Sequence, residues 1–360
     1  MKSFLSTLSF ALVLVCFSCA KQDNEISLKW NKAHDEDTFE RSITGLKWAL
    51  SYLGSTVAND STLLKFNPKD SIITLDANQL GFSKEAATVL SKLHYNFKNT
   101  EAYTINKTFD LGRYVSLIFG RSHNYYAIAG VPEDLEAFDQ LYQFSEAKGY
   151  IDNSSISKVD RIISFSNIHE KNNQAFISAE IDSISKDTLE YETMQIMPNG
   201  QLKFGVYDLD GKIKRVANKN VTRAGKPAKC IWCHEVVVQP LYRSQKNHDT
   251  YLKYTTFNDT LKYFNHRLQT YQDSLWKDKN FKNKKLHSEL ELLYIAFMEP
   301  NAERISREWN MPVTEVKQKL SHLETHVYEE FVFLGDSYHR KDIDALAPFQ
   351  VQEAPESIRE

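Results

Sequence analysis

Tyr191-Glu192-Thr193-Met194-Gln195-Ile196-Met197, then Pro198-Asn199-Gly200, then Gln201-Leu202-Lys203-Phe204-Gly205-Val206-Tyr207 reads as two strands joined by a tight turn. Proline fixes φ at the start of such a turn, and Asn-Gly accepts the left-handed backbone that closes it. The period-two pattern continues upstream. Ile163, Phe165 and Asn167 alternate with polar neighbours, and Ala175 to Ile181 reads as a strand. Downstream, Asp208-Leu209-Asp210-Gly211 starts a second turn into Lys212 to Val216. That turn shares its opening with a calcium loop but lacks the remaining ligands, including the distal Glu. Five short strands in succession predict an antiparallel meander.

Both flanks change period. From 36 to 150 the apolar residues fall at helical spacing. Phe39, Ile43, Leu46, Leu50 and Leu53 follow the acidic run Asp35-Glu36-Asp37, and negative charge suits a helix N-terminus. Ser83 is placed to cap a helix carrying Ala86, Leu90, Leu93 and Tyr95. Phe109 to Phe119 predicts another helix, stopped by Gly120. Pro132 opens one that carries Leu135, Phe138, Leu141, Tyr142 and Phe144 and ends at Gly149. The cluster Arg121 to Tyr126 reads as a loop at a helix–helix junction.

From 245 onward the helical period returns. Leu261, Phe264, Leu268, Tyr271 and Leu275 make one stripe, and Leu286, Leu290, Leu293 and Phe297 make another. Ile305 to Val316 has helix-turn-helix spacing, with Asn310 in place of the usual turn glycine. A formal net charge of −3 argues against a nucleic-acid partner, so a tight helical hairpin is expected. The fold class is therefore α+β. A helical region over 36–150 precedes an antiparallel β region over 151–220, a loop segment over 221–244 and a second helical region over 245–360.

The segment 221–244 contains Cys230-Ile231-Trp232-Cys233-His234, which has the form C-x-x-C-H. Two thiols at this spacing can form thioethers to the two vinyl groups of one porphyrin. The adjacent imidazole can then ligate the iron from the proximal side. The quintet resembles the haem attachment motif of c-type cytochromes. The resemblance covers five residues and implies one covalent haem c, held by Cys230, Cys233 and His234. In that family the motif ends the first helix of a small domain. Here it follows a strand and the loop Arg223 to Ala228, and Pro240 keeps any helix containing His234 short. The fold expected is thus not the ordinary small cytochrome c fold. Two other readings of the pair are a C-x-x-C disulfide and a zinc site. Against the first, Trp232 lies between the thiols rather than before them. Against the second, no further Cys/His pair has finger spacing.

The N-terminus bears on the compartment. Met1-Lys2 precedes an apolar run from Phe4 to Phe17, too short for a membrane span of about 20 residues. Residues 1–18 read as an export signal. Ser18-Cys19 resembles the lipobox of bacterial lipoproteins, in the looser form found in the Bacteroidota. That resemblance implies lipidation of Cys19. Ala20 and the acidic stretch after it imply anchoring at the outer membrane, facing the periplasm or the cell surface. Residues 19–35 read as a polar tether. Of four cysteines, Cys16 leaves with the signal and Cys19 carries lipid, so only the motif pair remains in an oxidising space.

A second axial ligand is less determined. Met311, followed by Pro312, has the form of a distal ligand in monohaem cytochromes. Met298 and His248 are further candidates, as is an open position. A Met/His pair favours electron transfer, whereas an open position permits peroxide or small-gas chemistry. The expected function is an electron-transfer lipoprotein with an unidentified redox partner. A haem enzyme or sensor, or a surface binding lipoprotein with a structural haem or disulfide, are the alternatives. No catalytic triad, phosphate loop or HExxH sequence is present.

Overall fold

The computed structural model describes residues 24–167, 174–238 and 243–358. The signal segment and Cys19 lie outside the described residues. The architecture is α+β, and it is not a small cytochrome c fold.

Strands β1 (Glu25–Lys29), β2 (Lys65–Asn67), β3 (Ile72–Asp76) and β4 (Phe109–Asp110) form one sheet in the order β2-β3-β1-β4. β1 runs antiparallel to β3 and parallel to β4. Ile26, Leu28, Ile73 and Leu75 are buried while their neighbours are not, as the pleat requires. This sheet corrects two expectations. The tether over 19–35 contains a strand, and the region 36–150 is not wholly helical. The alternation in β1 and β3 spans only five residues each, too short to stand out against the helical pattern around it.

The central sheet consists of β5 (Gly149–Ile151), β6 (Asp160–Phe165), β7 (Ala175–Ile181), β8 (Thr188–Ile196) and β9 (Leu202–Tyr207). These strands pair in sequence order, all antiparallel. In the β8–β9 turn the Gly200 N–H donates to the Met197 carbonyl at 2.9 Å, and Met197 N–H to the Gln201 carbonyl at 2.7 Å. Gly200 takes φ +84°. The meander has five strands, but the fifth is β5, not Lys212 to Val216. In that stretch Ile213 makes only an isolated bridge to Tyr207. Gly149 belongs to β5, where it pairs with Ile163, and a Cβ there would come within 2.2 Å of the Phe257 ring.

The helices are α1 (Phe39–Tyr52), α2 (Lys84–Lys98), α3 (Glu101–Asn106), α4 (Leu111–Ile118), α5 (Ser122–Ala129), α6 (Leu135–Asp139), α7 (Pro227–His234), α8 (Tyr254–Leu275), α9 (Lys279–Lys282), α10 (Ser288–Met298), α11 (Ala302–Trp309), α12 (Val313–Lys319) and α13 (Arg340–Asp344). Oxygens of Thr38, Ser83, Thr100, Asp110, Asp278 and Asn301 cap six of these N-termini. Three boundaries differ from the sequence expectation. The helix expected from Phe109 starts at Leu111, because Phe109 pairs with β1 and Asp110 is the cap. The helix expected from Pro132 ends at Asp139, and Phe144 bridges to Ser166 instead. The cluster Arg121 to Tyr126 is mostly helix α5 rather than a loop. Asn310, at φ +50°, makes the tight turn between α11 and α12. A short ribbon, β10 (His326–Val327) with β11 (Asp336–Ser337), completes the chain's strands among the described residues.

One buried cluster draws on both helical regions and the central sheet, including Trp48, Tyr114, Phe176, Phe264 and Tyr294. A smaller cluster surrounds Trp309 and Val316. Between α4, α11 and α13 lies a buried ionic knot. Glu308 accepts from Arg113 at 2.8 Å, Arg304 at 2.5 Å and Arg340 at 3.0 Å. Asp344 and Asp110 balance the remaining charge through Arg113 and Arg304. The Phe297 ring lies 4.0–5.2 Å from the three guanidinium carbons. Burial opposes the charge on Glu308, but Arg340, Arg113 and Arg304 outweigh it and hold its carboxyl well below the usual range. Because the folded pKa is depressed, this contribution is full above about pH 4.5 and is lost as pH falls further. Glu308→Gln is expected to lower stability at pH 7 by about 3–5 kcal/mol, since three cations would lose their shared partner. Denaturant unfolding measures this, and a loss below about 1 kcal/mol would contradict the reading.

Candidate functional site

The C-x-x-C-H quintet forms the last part of α7, so the motif ends a helix rather than lying in a loop. The sequence led toward a loop because Pro227 follows Gly225 and Lys226. Yet Pro227 occupies N1, where its missing N–H is not needed. Cys230 and Cys233, three positions apart, share one side of the helix. Ala228 and Ile231 are buried. Trp232 wedges between Phe119 and Tyr294, at ring separations of 5.6 and 5.9 Å. Trp232 thus ties the helix to the end of α4 and to α10, and α7 also packs against α5 and β9.

The chain then reverses sharply. Glu235 adopts φ +51°, ψ −114°, an uncommon backbone for a residue with a Cβ. The Tyr52 hydroxyl donates to the Glu235 carbonyl at 2.9 Å, and Val238 N–H donates to Asn265 Oδ1 at 3.1 Å. Thus α1 and α8 brace the turn. Its product is a bond of 3.2 Å from His234 Nδ1 to the Val238 carbonyl. A carbonyl can only accept, so Nδ1 carries the proton and Nε2 keeps its lone pair. Burial, helped by the charge of Arg161, pulls the His234 pKa down to about 4. The ring is neutral at pH 7, the form a metal requires.

Both thiols and His234 line a cavity of about 1000 Å³, measured out to its open mouth. One wall is the sheet, and its cross-strand rows are graded. Phe165, Phe176, Met194 and Phe204 stand opposite one another in register. The next row on that face has Ile163, Ser178, Glu192 and Val206, and the next Arg161, Glu180 and Glu190. Phe204 lies 5.2 Å from the His234 ring. Phe257 and Leu261 of α8 supply the facing apolar surface.

At the charged end Arg161 pairs with Glu180 at 2.7 Å and Glu192 at 3.2 Å. Burial raises Glu192 to about 7, against the pull of Arg161, with Glu180 and Glu190 adding to the rise. Its Oε1 is buried without a hydrogen-bond partner among the described residues. Burial also pushes the Cys230 thiol well up, with Glu192 and Cys233 adding to it, and raises Cys233. Redox-active C-x-x-C pairs have lowered thiol pKa values, so the electrostatics run against that reading. Cys230 and Cys233 are not joined to each other by a disulfide.

The distal candidates read from sequence fall elsewhere. Met311 packs against the small cluster around Trp309 and does not line the cavity. Its Met-Pro form reflects the hairpin turn, where its carbonyl accepts from Ser306 Oγ at 2.6 Å. Met298 is buried at the end of α10, and His248 stacks on Tyr150 at 3.9 Å. The methionine on the cavity wall is Met194, whose strand position made it read as core. Arg161 and Glu192 also went unread, because only the register of β6 to β8 brings them to the motif. No protein-family model matches this chain, and no curated protein or solved structure matches it.

The left-handed φ at Glu235 gives a direct check on the turn. Glu235→Gly is expected to raise stability by up to about 1 kcal/mol, while Glu235→Val is expected to lower it by about 1–3 kcal/mol. Equal unfolding midpoints for the three proteins would show that the turn is otherwise.

Proposed function

We propose that this chain is an exported lipoprotein carrying one covalent haem c, attached through Cys230 and Cys233 with His234 as proximal ligand. Its role is to pass single electrons at the outer membrane or cell surface, anchored through Cys19. One observation carries the reading. The side chains of the motif line an open cavity walled by the central sheet and α8, and the Nδ1 proton of His234 is committed to the Val238 carbonyl. That bond fixes tautomer and ring orientation and raises ligand basicity, as outer-shell partners of metal-bound histidines do.

The residues around the motif fit the group. The Phe165-Phe176-Met194-Phe204 row and the α8 side chains offer an apolar bed for a macrocycle. Arg161, at the ionic end of the wall, is already paired with Glu180 and Glu192, so a porphyrin carboxylate would have to take the place of one of them. Bound iron would supply one-electron chemistry at a potential set by axial ligand, hydrogen bonding and burial. The chain's own work is to orient the imidazole, exclude water with Phe176, Phe204, Phe257 and Leu261, and hold charge at the Arg161 end. Met194 replaces Met311 as the candidate second ligand, since it is the methionine on this wall.

One observation favours a second reading, a haem enzyme or sensor. Glu192, partly buried and with one buried oxygen unpartnered among the described residues, is a proton acceptor beside Arg161 on the same wall. A vacant iron position facing that pair would suit peroxide or small-gas chemistry.

Expression with a cytochrome c maturation system and a haem stain on a denaturing gel test attachment. A stained band is expected, and its loss in Cys230→Ala. A colourless wild-type chain would end the proposal. The reduced and oxidised spectra separate the two roles. Six-coordinate low-spin iron that becomes high-spin in Met194→Ala supports an electron carrier. High-spin five-coordinate iron in the unaltered protein supports the enzyme or sensor. Met311→Ala is expected to leave the spectrum unchanged.

A further inference from the structure

Away from the motif cavity, three ligand-type side chains from separate segments meet at one point. Glu299 is the C-cap residue of α10, His326 lies in β10, and His339 precedes α13. One ligand atom from each lies within 4.8 Å of the other two. Glu299 Oε2 is 2.7 Å from His326 Nε2 and 3.7 Å from His339 Nδ1. The two imidazole rings stack at 4.2 Å with 23° between their planes.

We propose that Glu299, His326 and His339 form a binding site for a single divalent transition-metal ion, zinc first among them. Two nitrogens and a carboxylate oxygen are the donor set of zinc sites with an open fourth position. Imidazole ligands select late first-row metals over magnesium or calcium. A carboxylate–imidazole hydrogen bond would account for His326 alone. It does not account for His339, whose Nδ1 is aimed at the same oxygen from beyond hydrogen-bond length. Ligand atoms around tetrahedral zinc lie about 3.3 Å apart, so small side-chain rotations would close the triad on an ion. Binding would displace the proton shared between His326 and Glu299.

The backbone around the triad is tied down. Tyr338 N–H donates to the Pro300 carbonyl at 3.0 Å, next to both Glu299 and His339. Ser337 pairs with His326 across the ribbon, and its hydroxyl donates to the His326 carbonyl at 3.1 Å. Asn301 Nδ2 donates to the Leu334 carbonyl at 3.1 Å, linking the end of α10 to the same ribbon. Glu299 is only 7% exposed. A buried carboxylate facing two partly exposed imidazoles gives the ion a low-dielectric anchor and a solvent-facing side. A water or a substrate group can take the fourth position.

The inference stands apart from the haem reading, and its test uses zinc alone. The full chain, as isolated and with its thiols alkylated, is stripped with a chelator and titrated with Zn²⁺ by calorimetry. One ion per chain is expected, with micromolar or tighter affinity. His339→Ala, at a half-exposed position where folding is not at risk, is expected to weaken binding more than about 100-fold. That exceeds the 10–100-fold typical of outer-shell losses. Glu299→Gln and His326→Gln are expected to do the same. Cobalt substitution is expected to give a tetrahedral spectrum without thiolate charge-transfer bands. Absence of stoichiometric uptake, or uptake unchanged by His339→Ala, would overturn the site.

Discussion

The bond from His234 Nδ1 to the Val238 carbonyl organises the molecule's chemistry. It exists because α7 stops at His234 and the chain doubles back within four residues. Glu235 takes an unfavourable backbone to do so, at roughly 1–3 kcal/mol. The surrounding structure must hold it there, and it does so from three directions. Tyr52 of α1 and Asn265 of α8 bond to the turn, and Trp232 locks the preceding helix into the aromatic core. Residues distant in sequence thus act on one imidazole.

The sheet contributes a gradient. Adjacent rows on one face run from aromatic through mixed to ionic within three steps. The apolar end lies beside the His234 ring, and at the ionic end Arg161 is held between Glu180 and Glu192. The same gradient sets the state of the thiols. Burial and the neighbouring carboxylates keep Cys230 and Cys233 protonated, so they are poor at disulfide exchange.

Much of the architecture was legible in sequence, where the pattern was long or chemically marked. The Asn199-Gly200 turn, the stripe of α8 and the Ser83 cap all lie where their chemistry places them. The Asn310 turn reads through as well, since a short polar side chain tolerates left-handed backbone. Short elements were lost. β1 and β3 carry only two inward residues each, and β5 was hidden behind Gly149, which looked like a helix stop but gives way to the Phe257 ring. For the site, the quintet was visible because its spacing is local. Arg161, Glu192 and Met194 were not, since nothing in one dimension reveals cross-strand register. Met311 misled for the converse reason. A local Met-Pro pattern matched, but packing against Trp309 had already engaged it.

The most direct measurement is the mass of the peptide containing Cys230-Ile231-Trp232-Cys233-His234, taken from protein purified from its own cell envelope. The expected mass is that of the peptide plus one iron porphyrin, with neither thiol available for alkylation. An unmodified mass, with the two cysteines alkylated or joined to each other, would contradict haem attachment and leave the cavity without its proposed occupant.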